Sequence, residues 1–494
     1  MNQEEEQKKH KEVESSQKIV ELEEHEAIRS LWQVIKLPWW EFVLVLLLLG
    51  ATISMFVLKN RLPEASGILI GVLITSALLG LWLAFRPSEW AVDGLGNIMR
   101  YAGLTAYVAG VISSLASNLP EAVAAGILLV KGSSTGNSEL ITTAFYTTLS
   151  AAGFNAILLG IVVLVGGKKK GYIEIRKETV MAEGVLLRWG FVATLLTFGI
   201  AVVEMLEQIF ENLGKPWYYR DQELVGELPR LAGIALVVSY IIYIVYLIIK
   251  SREAKAAEQY VEPRATKPTR SKLDRKMPDT LQTKDVEITD SAHRKILDTP
   301  EEINIIDPEC PQTDETYRGS GKSVENPYLS APALEHPHLK IGSASILVLL
   351  GITGIAGGGY LLSTAVESML HTTNIEVGIA ALIVGFSGAV PEHGIAVVAA
   401  KKGKTDIALG NILGGILQMT LLVFGAFAAI VKAPIDGFML FQIIALAGII
   451  WFVKRSISDD RRLTSFEGIM IIMAQLFSFL LLLGELTGLK NILF

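Results

Sequence analysis

Residues 116–132 read ASNLPEAVAAGILLVKG, and residues 387–403 read SGAVPEHGIAVVAAKKG. Superposing Pro120 on Pro391 also pairs Glu121 with Glu392, Ala125 with Ala396, Lys131 with Lys402 and Gly132 with Gly403. Each copy sets a Pro-Glu dipeptide inside an apolar run and closes it with Lys and Gly. A proline within a helix removes one backbone hydrogen bond and frees the carbonyl four residues back, here Ala116 and Ser387. A glutamate at membrane depth is costly and marks a functional site by default. Helices broken at corresponding places in two halves point to a transporter's binding site. The repeat therefore predicts a membrane protein whose site is shared between two related halves.

The composition agrees. Hydrophobic residues make up 51% of the chain and charged residues 19%, with a mean hydropathy of +0.44, which excludes a large soluble protein. The net charge of -6 belongs mostly to the polar segments and identifies no partner. One cysteine, Cys310, excludes an internal disulfide and cannot hold zinc alone. The first 37 residues are rich in Glu and Lys and lack the apolar core of a cleaved secretory signal. Within them KIVELEEHEAIRSLWQVIK reads as a solvated amphipathic helix on the cytoplasmic side.

Apolar runs long enough to span a bilayer, about 20 residues each, fall near 39–58, 67–86, 101–130, 139–166, 185–209 and 229–249. After a polar gap come 341–363, 376–400, 405–431, 436–453 and 466–488. The expected fold is an all-α polytopic membrane protein of eleven transmembrane helices: an extra N-terminal helix and two inverted five-helix repeats. In residues, this means a cytoplasmic segment 1–38, the extra helix 39–66, a first repeat 67–250, a linker 251–340 and a second repeat 341–494. The third run would reach roughly 45 Å as one helix, too long for a hydrocarbon core of about 30 Å. It must tilt or break, and Asn118-Leu119-Pro120 marks the place.

Basic residues in short loops set the orientation. Lys168, Lys169, Lys170, Arg176 and Lys177 follow the fourth run; Lys401, Lys402 and Lys404 follow the eighth; Lys454, Arg455, Arg461 and Arg462 follow the tenth. The stretch 364–375 has no Lys or Arg. A cytoplasmic N-terminus puts every basic loop inside, so the first Pro-Glu span runs outward and the second inward. The linker is basic at first, then acidic and rich in proline. It reads as a largely disordered cytoplasmic segment. The chain is expected in a membrane as a multi-pass protein, the cell membrane if the source is prokaryotic.

Two facing glutamates carry two negative charges, which one divalent cation or two protons neutralise. The empty ionised pair is penalised by desolvation and like-charge repulsion. Such a site exchanges a hard divalent ion for protons without crossing empty. Hard cations such as Ca2+ take many oxygens, and the freed carbonyls with Ser117, Asn118 and Ser387 offer them. No Cys lies in any span, and His393 is the only histidine in one, so a thiolate or multi-histidine site for a softer metal is missing. His393 is either a proton acceptor tuning Glu392 or a hydrogen-bonded core histidine. Asn155 and Gln418, in the helix after each Pro-Glu span, are read as polar ligands over helix-binding amides, since both halves have one. Glu367 reads as an outside-facing loop charge, and Glu204, Glu207 and Glu485 as structural. Gly410, Gly414 and Gly415 are explained by close packing.

These residues resemble the cation/calcium exchanger superfamily, with its two inverted repeats carrying Pro-Glu or Asn-x-x-Glu motifs. PEHGIAVVAAKKGKTDIALGNILGGILQMTLLVFG is most similar to the second repeat of the H+/Ca2+ exchanger branch, in Glu392-His393, Lys402, Asp406 and Gln418. Asn118 and Glu121 match Asn-x-x-Glu, and WAVDGLGNIMRYAGLTAYVAG is similar to the superfamily's lead-in. The resemblance covers 67–250 and 341–494. It implies that Glu121 and Glu392 bind Ca2+ and protons alternately while gating helices slide past a rigid core. Gly388 and Ala389 depart from the polar pair expected before the second Pro-Glu, and TTAFYTTLSAAGFNAILLG lacks the usual Gly-Ser.

The expected function is thus secondary antiport of Ca2+, or a similar cation, against H+. The alternative is a Na+/Ca2+ exchanger of the same fold, whose members often carry a carboxylate where this chain has Gln418. A cation channel is a weaker reading, disfavoured by two inverted broken helices. An intramembrane hydrolase would need a nucleophile with a base, or a second histidine, so no enzyme activity is expected. No GxxxxGK[ST] loop occurs, so neither a nucleotide nor ATP-driven pumping is expected. The expected substrates are Ca2+ and H+ (or Na+), with no cofactor, no nucleic acid, and the lipid bilayer as surroundings.

Overall fold

The computed structural model describes residues 34–35, 37–62, 66–102, 106–175, 177–213, 226–265, 339–373, 375–401, 403 and 405–486. Most of the amphipathic lead-in, Cys310 and the linker over 266–338 lie outside the described residues. The chain divides into Met1–Ala257 with Tyr328–Phe494, and a smaller unit Glu258–Pro327; of the smaller unit only the end of one helix is described.

The larger unit is mostly helical. In chain order its helices are α1 (Trp39–Arg61), α2 (Ser66–Tyr101), α3 (Ala106–Ser117), α4 (Leu119–Thr135), α5 (Ser138–Gly166), α6 (Lys177–Leu213) and α7 (Arg230–Ala265). The second half holds α8 (Ile341–Thr373), α9 (Val377–Lys401), α10 (Thr405–Leu417), a π-helical turn (Gln418–Val423), α11 (Phe424–Ile430), α12 (Gly437–Asp460) and α13 (Ser465–Leu486). Four short strands sit in loops: β1 (Tyr172–Glu174), β2 (Gly226–Leu228), β3 (Ala433–Ile435) and β4 (Arg462–Thr464).

Local chemistry sets the ends. Gly136 closes α4 at φ 68, a left-handed value that glycine adopts without a Cβ clash. Asn137 then caps α5, its side chain accepting from the Glu139 and Leu140 N–H groups. Thr464 and Glu467 form a capping box before α13, each side chain accepting from the other's backbone N–H. Asp436 caps α12 by accepting from Met439 N and also accepts from the Tyr146 hydroxyl of α5.

Eight helices among the described residues are long and apolar enough to cross a membrane. Length and hydropathy alone therefore give eight rather than eleven. The other three expected spans coincide with the α3–α4 pair, with α9 (apolar over Val377–Ala389) and with α13 (apolar over Ser465–Leu480). The apolar window of α1 is only 6% buried, against 67% for α5 and 83% for Ala408–Ile430. So α1 is peripheral, tied to α2 by Glu41, which accepts from Trp82 Nε1 and pairs with Arg86. The core is built on α5 and α10–α11. Large hydrophobic side chains are left exposed on the outer helices, the kind of surface that a bilayer covers.

The most extensive packing joins α2 to α8. A Cβ on Gly80 would lie 3.0 Å from the Gly358 carbonyl oxygen, and one on Gly351 would lie 2.6 Å from that of Pro87. The register that superposes Pro120 on Pro391 also superposes Gly80 on Gly351 and Pro87 on Gly358. These two contacts are thus one contact seen from each half, as a twofold between inverted repeats requires. The strands follow the same rule. β1, after the third span of the first half (α5), pairs with β4, after the fourth span of the second half (α12). β2, after the fourth span of the first half (α6), pairs with β3, after the third span of the second (α10–α11).

The two Pro-Glu segments differ in one respect. The first breaks at Asn118, between α3 and α4, as expected from its length. The second does not: α9 runs unbroken through Pro391. Asn118 supplies a reason, since its Nδ2 donates to the Ser114 carbonyl at 2.8 Å and competes with the helical ladder. The matching position in α9 is Ala389, which has no group to compete.

Candidate functional site

The break at Asn118 sets the C-terminus of α3 against the N-terminus of α4. Carbonyls of the last turn of α3 offer partial negative charge to a cation, and the first turn of α4 favours an anion. Asn118 sits at φ -85, ψ -1, and its own N–H bonds to Ser114 O at 3.0 Å. Pro120 has no N–H to give to Ala116. Glu121 falls in the first turn of α4, 1% exposed, with both carboxylate oxygens closed off from solvent. Ser117, 4% exposed, donates to Ser114 O at 3.2 Å.

The Glu121 side chain lies against the second repeat. A Cβ at Gly388 of α9 would stand 2.1 Å from Glu121 Cγ and 2.5 Å from Cδ. Glu392 is one turn further along the same helix, about 6 Å at 1.5 Å per residue, on the same face. Backbone positions therefore bring the mirrored Pro-Glu segments together. The side chains of Glu392 and His393, and residue Lys402, lie outside the described residues.

Three buried amides link the halves. Asn155 Nδ2 of α5 donates to Asn118 Oδ1 at 3.2 Å, and Asn118 Nδ2 donates to Gln418 Oε1 at 3.2 Å. Gln418 Nε2 reaches Leu115 O at 3.5 Å. Gln418 opens the π-helical turn, a rare irregularity frequent at functional sites. Gly415 makes room for the chain of amides: a Cβ there would be 2.8 Å from Asn155 Nδ2 and 3.0 Å from Asn118 Nδ2. Asn155 Oδ1 is buried with no partner among the described residues.

Of the residues singled out in the sequence, Ser117, Asn118, Glu121, Asn155 and Gln418 are thus gathered at the break. Ser387 takes no part in the amide chain; its hydroxyl donates back to Ile383 O within α9. Glu367 is not a loop charge. It lies on α8 and pairs with Lys131 at 3.2 Å, while Lys131 also sits 5.1 Å from the Tyr360 ring centre. That arrangement anchors the end of α4 to α8. The sequence marked Gly388 as a departure and Gly415 as a packing residue, but not the polar side chains they make room for, and the π turn was not read from it. A glycine shows in a sequence, but the side chain it makes room for does not.

The fold and this buried site define an integral, multi-pass membrane protein in which two halves share one polar centre around an acid. A model of the sodium/calcium exchanger protein family matches residues 68–249 and 343–484. The match spans well over half of the chain and includes both Pro-Glu segments. The chain belongs to the sodium/calcium exchanger protein family. No curated protein matches the sequence significantly. Similar solved structures include the sodium-calcium exchanger NCX_Mj soaked with 2.5 mM Na+ and 0.1 mM Ca2+, with 13% identity, TM-score 0.47, and coverage of 82% of this chain and 97% of that one. The same exchanger soaked with zero Na+ and Ca2+ gives 14% identity, TM-score 0.45, and coverage of 83% and 98%.

Proposed function

We propose that this protein is a secondary antiporter exchanging Ca2+, or a similar divalent cation, for protons by alternating access. The observation that carries the reading is the burial of Glu121 at a helix break, pressed against α9 one turn before Glu392. Glu121 and Glu392 are the carboxylates that hold the ion or the protons. Carbonyls at the end of α3, with Ser117, Asn118, Asn155 and Gln418, supply neutral oxygens, and Ser387 is a further donor if it turns from Ile383. The amides Asn155, Asn118 and Gln418 carry no charge, so two carboxylates set the balance. One dication or two protons leave the centre neutral, and the ionised empty pair is unfavourable. That condition couples the two fluxes. His393 is assigned to tune Glu392.

The α2–α8 pair, packed backbone to backbone through glycines, supports a two-helix unit that slides past the core built on α5 and α10–α11. The strand pairs support the orientation proposed from the basic loops: N-terminus and linker cytoplasmic, with β1 and β4 on the cytoplasmic face and β2 and β3 on the other. Eleven spans, with repeats 67–250 and 341–494 joined by the linker 251–340, complete the topology.

Sodium coupling is the second reading, favoured by the description of the matched family. Everted vesicles decide between them. Ca2+ uptake driven by a pH gradient without Na+ is expected; strict dependence on a Na+ gradient would reverse the choice. Flux insensitive to either gradient would indicate a channel.

A further inference from the structure

We propose that Gly388 admits the Glu121 carboxylate into the second repeat, so that side-chain size at position 388 sets the affinity for the divalent cation. The inference rests on the exchange reading above and deepens it.

A Cβ at position 388 would lie 2.1 Å from Glu121 Cγ, 2.5 Å from Cδ and 2.8 Å from Oε1, and these are its three nearest neighbours. Helix packing alone does not account for this glycine. Gly385, three residues earlier on α9, shows what packing looks like: its nearest atoms are the Ala151 N, Ser150 Cβ and Thr147 O of α5. Backbone conformation does not call for glycine at 388 either, since its φ is not positive, and glycine inside a helix is less favourable than alanine. The space at 388 is filled by Glu121.

Superposing the repeats sets Ser117 on Gly388, so the first repeat keeps a side chain at the place where the second has none. The two halves are therefore unequal, and the first acid crosses into the second repeat. A methyl group at 388 would not break α9. It would turn the flexible Glu121 side chain aside. Ca2+–oxygen distances lie within about 2.3–2.6 Å, so a shift of roughly an ångström removes a carboxylate from the coordination shell.

The test uses the full chain in proteoliposomes, with Gly388→Ala, Gly388→Ser and Gly388→Val compared for the Ca2+ concentration giving half-maximal uptake. That concentration should rise about tenfold or more for Ala, equally for Ser, and further for Val. Glu121→Asp, one methylene shorter, should partly restore Gly388→Ala, so that the rise in the double variant falls short of the product of the two single rises. Wild-type affinity in Gly388→Ala would overturn the proposal. So would Ser binding more tightly than Ala, which would mean that position 388 needs an oxygen instead of space, and so would independent effects in the double variant. The same cycle of variants, read as thermal midpoints in Ca2+-free detergent, tests the steric pairing without transport. A wild type that moves no Ca2+ would sink the exchange reading, while coupling in those midpoints would still establish the pairing. If Gly388→Ala fails to fold, recovery by the added Glu121→Asp supports the pairing and continued failure overturns it.

Discussion

Glu121 keeps its carboxylate where water cannot reach it, and the first turn of α4 makes that bearable. Replacing it with glutamine keeps the shape and removes the charge. A single remaining carboxylate balances only half the charge of a dication, so Glu121→Gln should lower Ca2+ exchange by at least about a hundredfold, roughly 2.8 kcal/mol. Membrane insertion should be unchanged by gel filtration. Glu392→Gln should do the same, and normal exchange in either variant would refute the two-carboxylate mechanism. Asn118 also holds its neighbours in place. Asn118→Ala would strand Asn155 Nδ2 and Gln418 Oε1 in the interior, at about 1–3 kcal/mol for each buried group left unmet. A lower thermal midpoint in detergent is expected, and an unchanged one would mean the amide chain contributes nothing. Glu121 and Asn118 stood out in the sequence because charge and amide are rare in apolar runs. Gly388 stood out only as a departure from an expected polar pair, because an empty space is defined by what fills it.

At the level of elements, the long third run divides at Asn118, while α9 tolerates Pro391. The difference turns on one competing amide, which explains why two matched motifs fold differently. A second polar contact sits on the other side of α5. A Cβ on Gly153 would lie 2.4 Å from Gln475 Nε2 of α13 and 2.8 Å from Gln442 Nε2 of α12, and the Ser478 hydroxyl donates to Gln442 Oε1. A Cβ on Gly153 would also lie 2.7 Å from Phe479 Cζ, so Gly153→Ala should destabilise the protein by about 1–3 kcal/mol through overpacking. Gly448, with nothing within 4 Å of a built Cβ, should gain about 0.5–1 kcal/mol from the same change. Thermal unfolding of the variants reads both signs. Equal effects at the two sites would show that α5 and α13 are not in such close contact.

Across the whole molecule, opposite orientation of the halves makes a strong geometric statement. Tyr172 pairs with Thr464, and Leu228 pairs with Ala433, which ties each end of the bundle to itself. With Cys310 replaced by serine, single cysteines at Lys169 and Arg462 should react with an impermeant maleimide from the cytoplasmic side. Cysteines at Glu227 and Lys432, which form an ion pair at 2.6 Å, should react from the opposite side. Labelling of Lys169 and Arg462 from different sides would overturn the inverted arrangement.

The periodic apolar runs, the doubled Pro-Glu and the basic loops are properties of the chain taken in order. They were enough to give a helical membrane fold, two related halves, and the acid at their centre. Hydropathy and backbone chemistry act locally, so a linear reading recovers them. What packs against Glu121, which helix keeps its proline without breaking, and how Asn155, Asn118 and Gln418 join across three helices were settled only in three dimensions. Each depends on atoms brought together from distant parts of the chain, and close packing in the interior chooses among partners that composition leaves equivalent.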